Sequence, residues 1–145
     1  MPTNKGTQYY THDGIQFRSK DEIEYYKLCL QRKARGKILN FEYEAGAFEL
    51  QPKFRFMGKT VLPITYTPDF TVYHTDGTRE FVEIKGFLTN ESTLKVKMFK
   101  YLIRDTGDKY TMLSRNRKHG DADGWIEYGE LKKKRGELKR ARNEI

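Results

Sequence analysis

Cysteine is almost absent from this sequence. The single residue, Cys29, excludes an internal disulfide and a cysteine-based zinc site, and its apolar helical surroundings (YYKLCL) favour ordinary burial. Histidine is sparse as well: His12, His74 and His119 are far apart and show no metal-ligand spacing, which disfavours zinc. Long apolar runs are missing. No segment approaches the ~18 residues that a membrane-crossing helix needs, and the opening MPTNKGTQYY has neither the basic nor the apolar region of a signal peptide. A cytoplasmic protein without membrane association is therefore expected. Internal repeats, Pro/Ser-rich linkers and composition shifts are also lacking, and 145 residues suit one domain. We expect a single domain over residues 1–130 followed by a basic tail, 131–145.

What the chain has in quantity is positive charge and aromatic side chains. The net charge is +8, with ten Tyr and nine Phe, 37% hydrophobic and 33% charged residues. This is the composition of a folded protein with a very polar surface, and its charge points to a polyanionic partner, most commonly nucleic acid, with an acidic membrane surface as the other class. The charge is concentrated at the end: Leu131 to Ile145 holds seven Lys or Arg against two Glu. Lys132, Lys133, Lys134 and Arg135 in this tail read either as a DNA-binding arm or as a solvated, frayed end.

Local patterns give an order of elements. Tyr9 to Phe17 reads as a hairpin around Asp13-Gly14. Ser19 stands at an N-cap position with Glu22 three residues on, and Ile23, Tyr26, Leu30 and Ala34 follow at helical spacing before Gly36, predicting a helix over about 20–35. Strand-like runs follow at 39–44, 47–50 and 53–57, and then 64–73 and 79–85 flank a turn at His74 to Thr78. Residues 92–103 are patterned as a helix, 110–113 as a strand, and a last short helix is expected near Trp125.

The turn type decides which residues face each other. A two-residue Asp76-Gly77 loop pairs Asp69 with Ile84 and mixes acidic and apolar residues on both faces. A three-residue loop, Thr75-Asp76-Gly77, with Gly77 left-handed, sets Asp69 opposite Glu83. Phe70, Val72, Val82 and Ile84 then share an apolar face suited to packing on a helix, while Asp69, Glu83 and Lys85 share the other. Opposed residues have Cβ atoms ~4.5 to 5.5 Å apart, where two carboxylates repel unless a cation lies between them. Oxygen ligands select Mg²⁺ or Mn²⁺, which keep waters and accept phosphate oxygens, so the cluster suits phosphodiester hydrolysis with Lys85 at the scissile phosphate or the attacking water. Alone, Lys85 would read as a solvated lysine; the two acids beside it change that. Arg18, Lys95, Lys97 and Lys100 either line a phosphate path or are simply solvated. Glu22 is fully accounted for by a capping box with Ser19. Tyr66 and Thr67 read as strand formers, and RNRKH at Arg115 to His119 lacks the partner residues a histidine-centred nuclease motif needs.

The segment Tyr66-Thr67-Pro68-Asp69-Phe70 followed by Phe81-Val82-Glu83-Ile84-Lys85-Gly86 resembles the PD-(D/E)XK nuclease superfamily, in particular its phage-type Holliday junction resolvases and related small phage endonucleases. Phe17-Arg18-Ser19 with Glu22, and Phe41-Glu42-Tyr43-Glu44, extend the resemblance over roughly 17–113. It implies a restriction-endonuclease-like α/β (α+β) core, with a central mixed β-sheet flanked by helices. It implies that Asp69, Glu83 and the Ile84 carbonyl bind metal, that Lys85 serves catalysis, and that Glu22 completes the site. It further implies one or two Mg²⁺ per site with Mn²⁺ as a substitute, a homodimer, and four-way DNA junctions as substrate, in a phage protein acting in the host cytoplasm. The segment between Asp69 and Glu83 is longer than in the phage resolvases, and the basic tail has no counterpart there. A same-fold nuclease for flaps, forks or specific duplexes, and a DNA-binding module without catalysis, are the alternative readings.

Overall fold

The computed structural model describes residues 8–86 and 88–143. A hairpin of β1 (Tyr10–His12) and β2 (Ile15–Phe17) opens the chain. Its turn residues Asp13 and Gly14 have φ of 51° and 75°, the type I′ geometry that Asp-Gly favours. Helix α1 (Lys20–Ala34) follows, with the Ser19 hydroxyl accepting the Glu22 N–H at 3.1 Å. The helix ends in a Schellman motif around left-handed Gly36, whose N–H reaches Lys33 O (3.1 Å) while Lys37 N–H reaches Arg32 O (2.8 Å).

The face that α1 buries differs from the expected one. Glu22, Tyr25 and Cys29 are the buried positions, whereas Leu30 is 39% exposed and Ala34 is exposed. The helix is turned by about one residue, ~100°, because Tyr26 covers the flank, with its ring against Phe17 and Phe41.

Five strands complete the middle of the chain: β3 (Ile38–Tyr43), β4 (Phe48–Gln51), β5 (Phe54–Phe56), β6 (Lys59–Val61) and β7 (Ile64–Tyr66). They are followed by β8 (Phe70–His74), β9 (Arg79–Ile84), α2 (Asn90–Ile103), β10 (Lys109–Arg115), β11 (Trp125–Glu127) and α3 (Tyr128–Asn143). The central sheet is mixed and five-stranded, in the order β11-β10-β9-β8-β3, with β9 and β10 parallel and the other pairs antiparallel. The described residues thus form an α+β protein with three helices around a mixed sheet.

Two expected boundaries change. The run 64–73 is two strands, because Thr67-Pro68-Asp69 carries the chain from the β4–β7 ribbon into the central sheet, and Pro68 has no N–H to continue a ladder. Trp125 lies in a strand rather than at a helix start. The helix begins three residues later, where the Glu127 carboxylate accepts the N–H groups of Gly129 (3.0 Å) and Glu130 (2.9 Å) as an N-cap. Up to Asn143, the basic segment forms most of helix α3, anchored by Leu131, which is 2% exposed. It is not a frayed end.

Both sheet faces are covered. On one, Tyr25 and Cys29 of α1 pack with Phe70, Val72, Val82, Ile84 and Trp125, the apolar set expected from the hairpin register. On the other, Phe81 joins Tyr66, Phe99 and Ile103 under α2, so the face carrying Glu83 is half core rather than wholly charged. Full burial of each such aromatic contributes about 1.5–3 kcal/mol, which fixes the strands that carry the acids.

Candidate active site

The Thr75-Asp76-Gly77 loop is the device that aligns the site. Gly77 N–H donates to His74 O (3.1 Å), His74 N–H to Thr78 O (2.9 Å), and Gly77 has φ of 86°. The loop therefore has three residues, and the ladder pairs Phe70 with Val82. One step further, Asp69 meets Glu83 as predicted: Asp69 N–H points to Glu83 Oε2 at 3.3 Å, and Ile84 N–H donates to Asp69 Oδ2 at 2.8 Å. Each acid is thus fixed through backbone N–H groups of the opposite strand. Asp69 is also anchored through its carbonyl, which accepts Glu44 N–H at 2.8 Å.

A cleft of about 360 Å³ opens over this pair, and Glu22, Lys85, Arg18 and Lys95 also line it. The capping-box account of Glu22 requires correction. Ser19 caps the helix, but the buried Glu22 carboxylate takes a 2.5 Å hydrogen bond from the Tyr43 hydroxyl and faces the cleft. Lys85 holds its ammonium 4.6 Å from the centroid of the Tyr128 ring, which Lys132 also approaches at 5.4 Å. The first turn of α3 thus meets the site lysine.

Electrostatically the cleft is short of positive charge. Burial lifts the Asp69 carboxyl well above its ordinary range, and the charges of Glu83 and Glu22 lift it further. Burial likewise raises Glu83 and Glu22, opposed at Glu83 by the Tyr66 hydroxyl and at Glu22 by that of Tyr43. Three carboxyls raised together in one cleft are the environment that a bound cation relieves.

The donor set fits Mg²⁺ or Mn²⁺ chemically. Asp69 Oδ2 and Glu83 Oε2 are engaged by the protein, and among the described residues Asp69 Oδ1 and Glu83 Oε1 have no protein hydrogen bond. Ile84 lines the cleft beside them. No group of three His, Cys, Asp or Glu forms a ready ligand set among the described residues, so Glu22 is a neighbour in the cleft rather than part of a formed triad. Two carboxylates, a carbonyl and waters are a common complement for Mg²⁺, which retains several waters and takes phosphate oxygens.

The expected phosphate path divides. Arg18 and Lys95 line the cleft, Arg18 with Glu44 at 3.5 Å and Lys95 with Glu91 at 3.2 Å. Lys97 lies elsewhere on α2, beside Leu50 and Tyr101, and Lys100 covers the Tyr110 ring at 5.1 Å. Lys133, Lys134 and Arg135 are exposed on α3, Lys133 with Glu130 at 3.6 Å.

The sequence marks Tyr66 only as a strand former and gives Tyr43 and Tyr128 no role in the site. The Tyr66 hydroxyl donates to Glu83 Oε2 at 2.7 Å and lies 3.1 Å from the Tyr110 hydroxyl. The Tyr43 hydroxyl donates to Glu22 in the same manner, whereas Tyr128 meets Lys85 with the face of its ring. The available signal was position: Tyr66 lies three residues before Asp69, and Tyr128 is the first residue of α3.

A family model described as "Protein of unknown function (DUF1064)" matches residues 5–121, a span that holds all four acidic and lysine site residues and ends before α3. No curated protein and no solved structure matches the chain.

Proposed function

We propose that this chain, which belongs to the DUF1064 family, is a metal-dependent DNA endonuclease with a restriction-endonuclease-like core and an active site built on Asp69, Glu83 and Lys85. The observation that carries the reading is the reciprocal clasp of Asp69 and Glu83. A buried and a half-buried acid are held together across two strands through Asp69 N–H and Ile84 N–H, with a lysine two residues beyond. Structural proteins rarely set like charges face to face, because the pair is unfavourable without a cation. The order of helix with inward Glu22, acid at a strand start, and Glu-x-Lys on the adjacent strand supports the core assignment.

Asp69 and Glu83, with the Ile84 carbonyl, would hold Mg²⁺, which when bound supplies water activation and charge neutralisation at phosphorus. The remaining work belongs to the side chains. Ile84 N–H and Tyr66 O–H fix the rotamers of the two acids, so their outer oxygens face the cleft together. Lys85 places a positive charge beside the phosphate, where it stabilises the charge that develops as the bond to the leaving oxygen breaks. Arg18 and Lys95 neutralise flanking phosphates. Glu22, oriented by Tyr43, would offer a further acid if a second ion were bound.

The substrate proposed is branched DNA, chiefly the four-way junction, cut by a homodimer with paired sites. This narrower part rests on the resemblance to the phage-type resolvases. The test is a cleavage panel: labelled four-way junction, flap, fork and linear duplex with Mg²⁺ or Mn²⁺, using wild type, Asp69→Ala and Lys85→Ala, together with a sizing measurement. Junction nicking lost in both variants is the expected result. Preference for flaps or duplex redirects the substrate, equal cleavage by both variants removes these residues from the mechanism, and binding in EDTA with no cleavage in Mn²⁺ identifies a non-catalytic module.

A further inference from the structure

The segment between β4 and β7 takes no part in the site, yet its charged residues are all of one sign. From Gln51 to Pro63, QPKFRFMGKTVLP, it has Lys53, Arg55 and Lys59 and no acid. The β5–β6 hairpin pairs Phe54 with Val61 and Phe56 with Lys59, so these four share one face. Residues 52–60 are all exposed; Phe56 is 63% exposed, Met57 at the turn 86% and Leu62 73%. Arg55 folds over the turn and donates to Gly58 O at 2.6 Å, which adds a cation at the tip.

An isolated two-stranded hairpin with an uncovered apolar face is marginal in water and calls for a partner. The register shows how this one is mounted. Gln51 pairs with Ile64 and Phe54 with Val61, so Pro52 falls opposite Pro63 in one continuous ribbon. Neither proline can donate to the ladder, so the pair interrupts it between the β4–β7 half and the β5–β6 half. The root is the active site itself: β7 ends in Tyr66, whose hydroxyl holds Glu83. From Tyr66 to Met57 an extended chain at ~3.3 Å per residue reaches up to about 30 Å.

We propose that the β5–β6 ribbon is a DNA-engaging arm, in which Lys53, Arg55 and Lys59 contact phosphates while Phe56 and Met57 press against the base stack where the duplex opens or kinks. The inference rests on the reading of the protein as DNA-acting, but not on its chemistry. Apolar side chains beside cations are the equipment of proteins that wedge between base steps, and the major groove admits a two-stranded ribbon. A second copy of the arm is the poorer occupant, since two arms with only positive charge repel.

The test measures binding in EDTA, independently of cleavage, with a four-way junction and a linear duplex carrying 2-aminopurine at the branch or centre. Phe56→Thr/Met57→Asn is the wedge variant; Thr suits a strand, and Asn accepts the left-handed φ of 49° at position 57, so the hairpin keeps its fold. Wild type is expected to raise 2-aminopurine emission. The wedge variant should lose that signal and about tenfold in affinity. Lys53→Ala/Lys59→Ala should keep the emission but lower the salt slope of log Kobs by about 1.8. The proposal is overturned if the wild type binds no DNA, if the wedge variant binds with wild-type affinity and emission, if the lysine variant keeps the wild-type salt slope, or if the wedge variant changes only oligomeric mass. Arm-dependent binding with no cleavage in Mg²⁺ leaves the arm standing and removes the nuclease; wild-type cleavage and binding by the wedge variant does the reverse.

Discussion

Replacing Asp69 by Asn should stabilise the metal-free protein, an unusual outcome at a position only 7% exposed. Asn has the same shape, and its carbonyl oxygen can still accept Ile84 N–H, which Asp69 holds at 2.8 Å. What the substitution removes is a negative charge that burial, Glu83 and Glu22 all disfavour. Each unit by which folding raises a carboxyl pKa costs about 1.4 kcal/mol once the group is ionised. A gain of about 0.5–2 kcal/mol, the usual size of a single stabilising substitution, is expected, or roughly 2–7 °C in Tm at this chain length. The sign with pH follows from linkage. Because the folded-state value lies above the unfolded one, the wild type keeps its full stability below the ordinary carboxylate range and loses it as pH rises through the raised value. The advantage of Asn should therefore be largest near pH 8, in EDTA, and fade towards pH 4. Mg²⁺ should raise the Tm of the wild type and leave the variant nearly unmoved. Differential scanning fluorimetry over this range reads the difference; a variant less stable than wild type at pH 8, or a gain independent of pH, refutes the reasoning.

Other outcomes follow from single contacts. Tyr66→Phe deletes the hydroxyl that holds the Glu83 pKa down, so the acidic limb of the cleavage pH profile should move to higher pH; an unmoved limb counts against the contact. Tyr128→Leu removes the ring beside the Lys85 ammonium and should slow single-turnover cleavage about two- to fivefold, with Tyr128→Phe near wild type. Phe99→Ala, at a side chain with no exposure that touches Phe48, Tyr66, Phe81 and Tyr110, should cost about 3–5 kcal/mol by urea unfolding.

The acidic pair was legible because a turn with chemistry of its own governs it. A left-handed Gly77 after Thr75-Asp76 puts Phe70, Val72, Val82 and Ile84 on one face and Asp69 with Glu83 on the other, and the ladder has that register. The Asp13-Gly14 hairpin and the Ser19 cap were readable for the same reason: their signals are local. What escaped depends on tertiary neighbours. The buried stripe of α1 is offset because Tyr26 is half-buried against the β1–β2 hairpin and Phe41, which a periodicity cannot distinguish from core. Strands of three residues such as β7 and β11 are too short to show a period, and Phe81 is buried on the face that alternation had assigned to charge. The roles of Tyr43, Tyr66 and Tyr128 arise from contacts between segments 17 to 43 residues apart in sequence, beyond the reach of any local pattern.

Metal-dependent cleavage at the acidic pair is decided by Glu83→Gln in a single-turnover nicking assay on a labelled four-way junction. The amide oxygen can keep the acceptor role towards the Tyr66 hydroxyl and Asp69 N–H, so the fold and DNA binding in EDTA should be unchanged, while the charge that would hold Mg²⁺ is gone. Cleavage by the wild type in Mg²⁺ and a loss of at least about a hundredfold in the variant are expected. Wild-type protein that nicks no DNA in Mg²⁺ or Mn²⁺, or a Gln variant that cleaves at the wild-type rate, would contradict this.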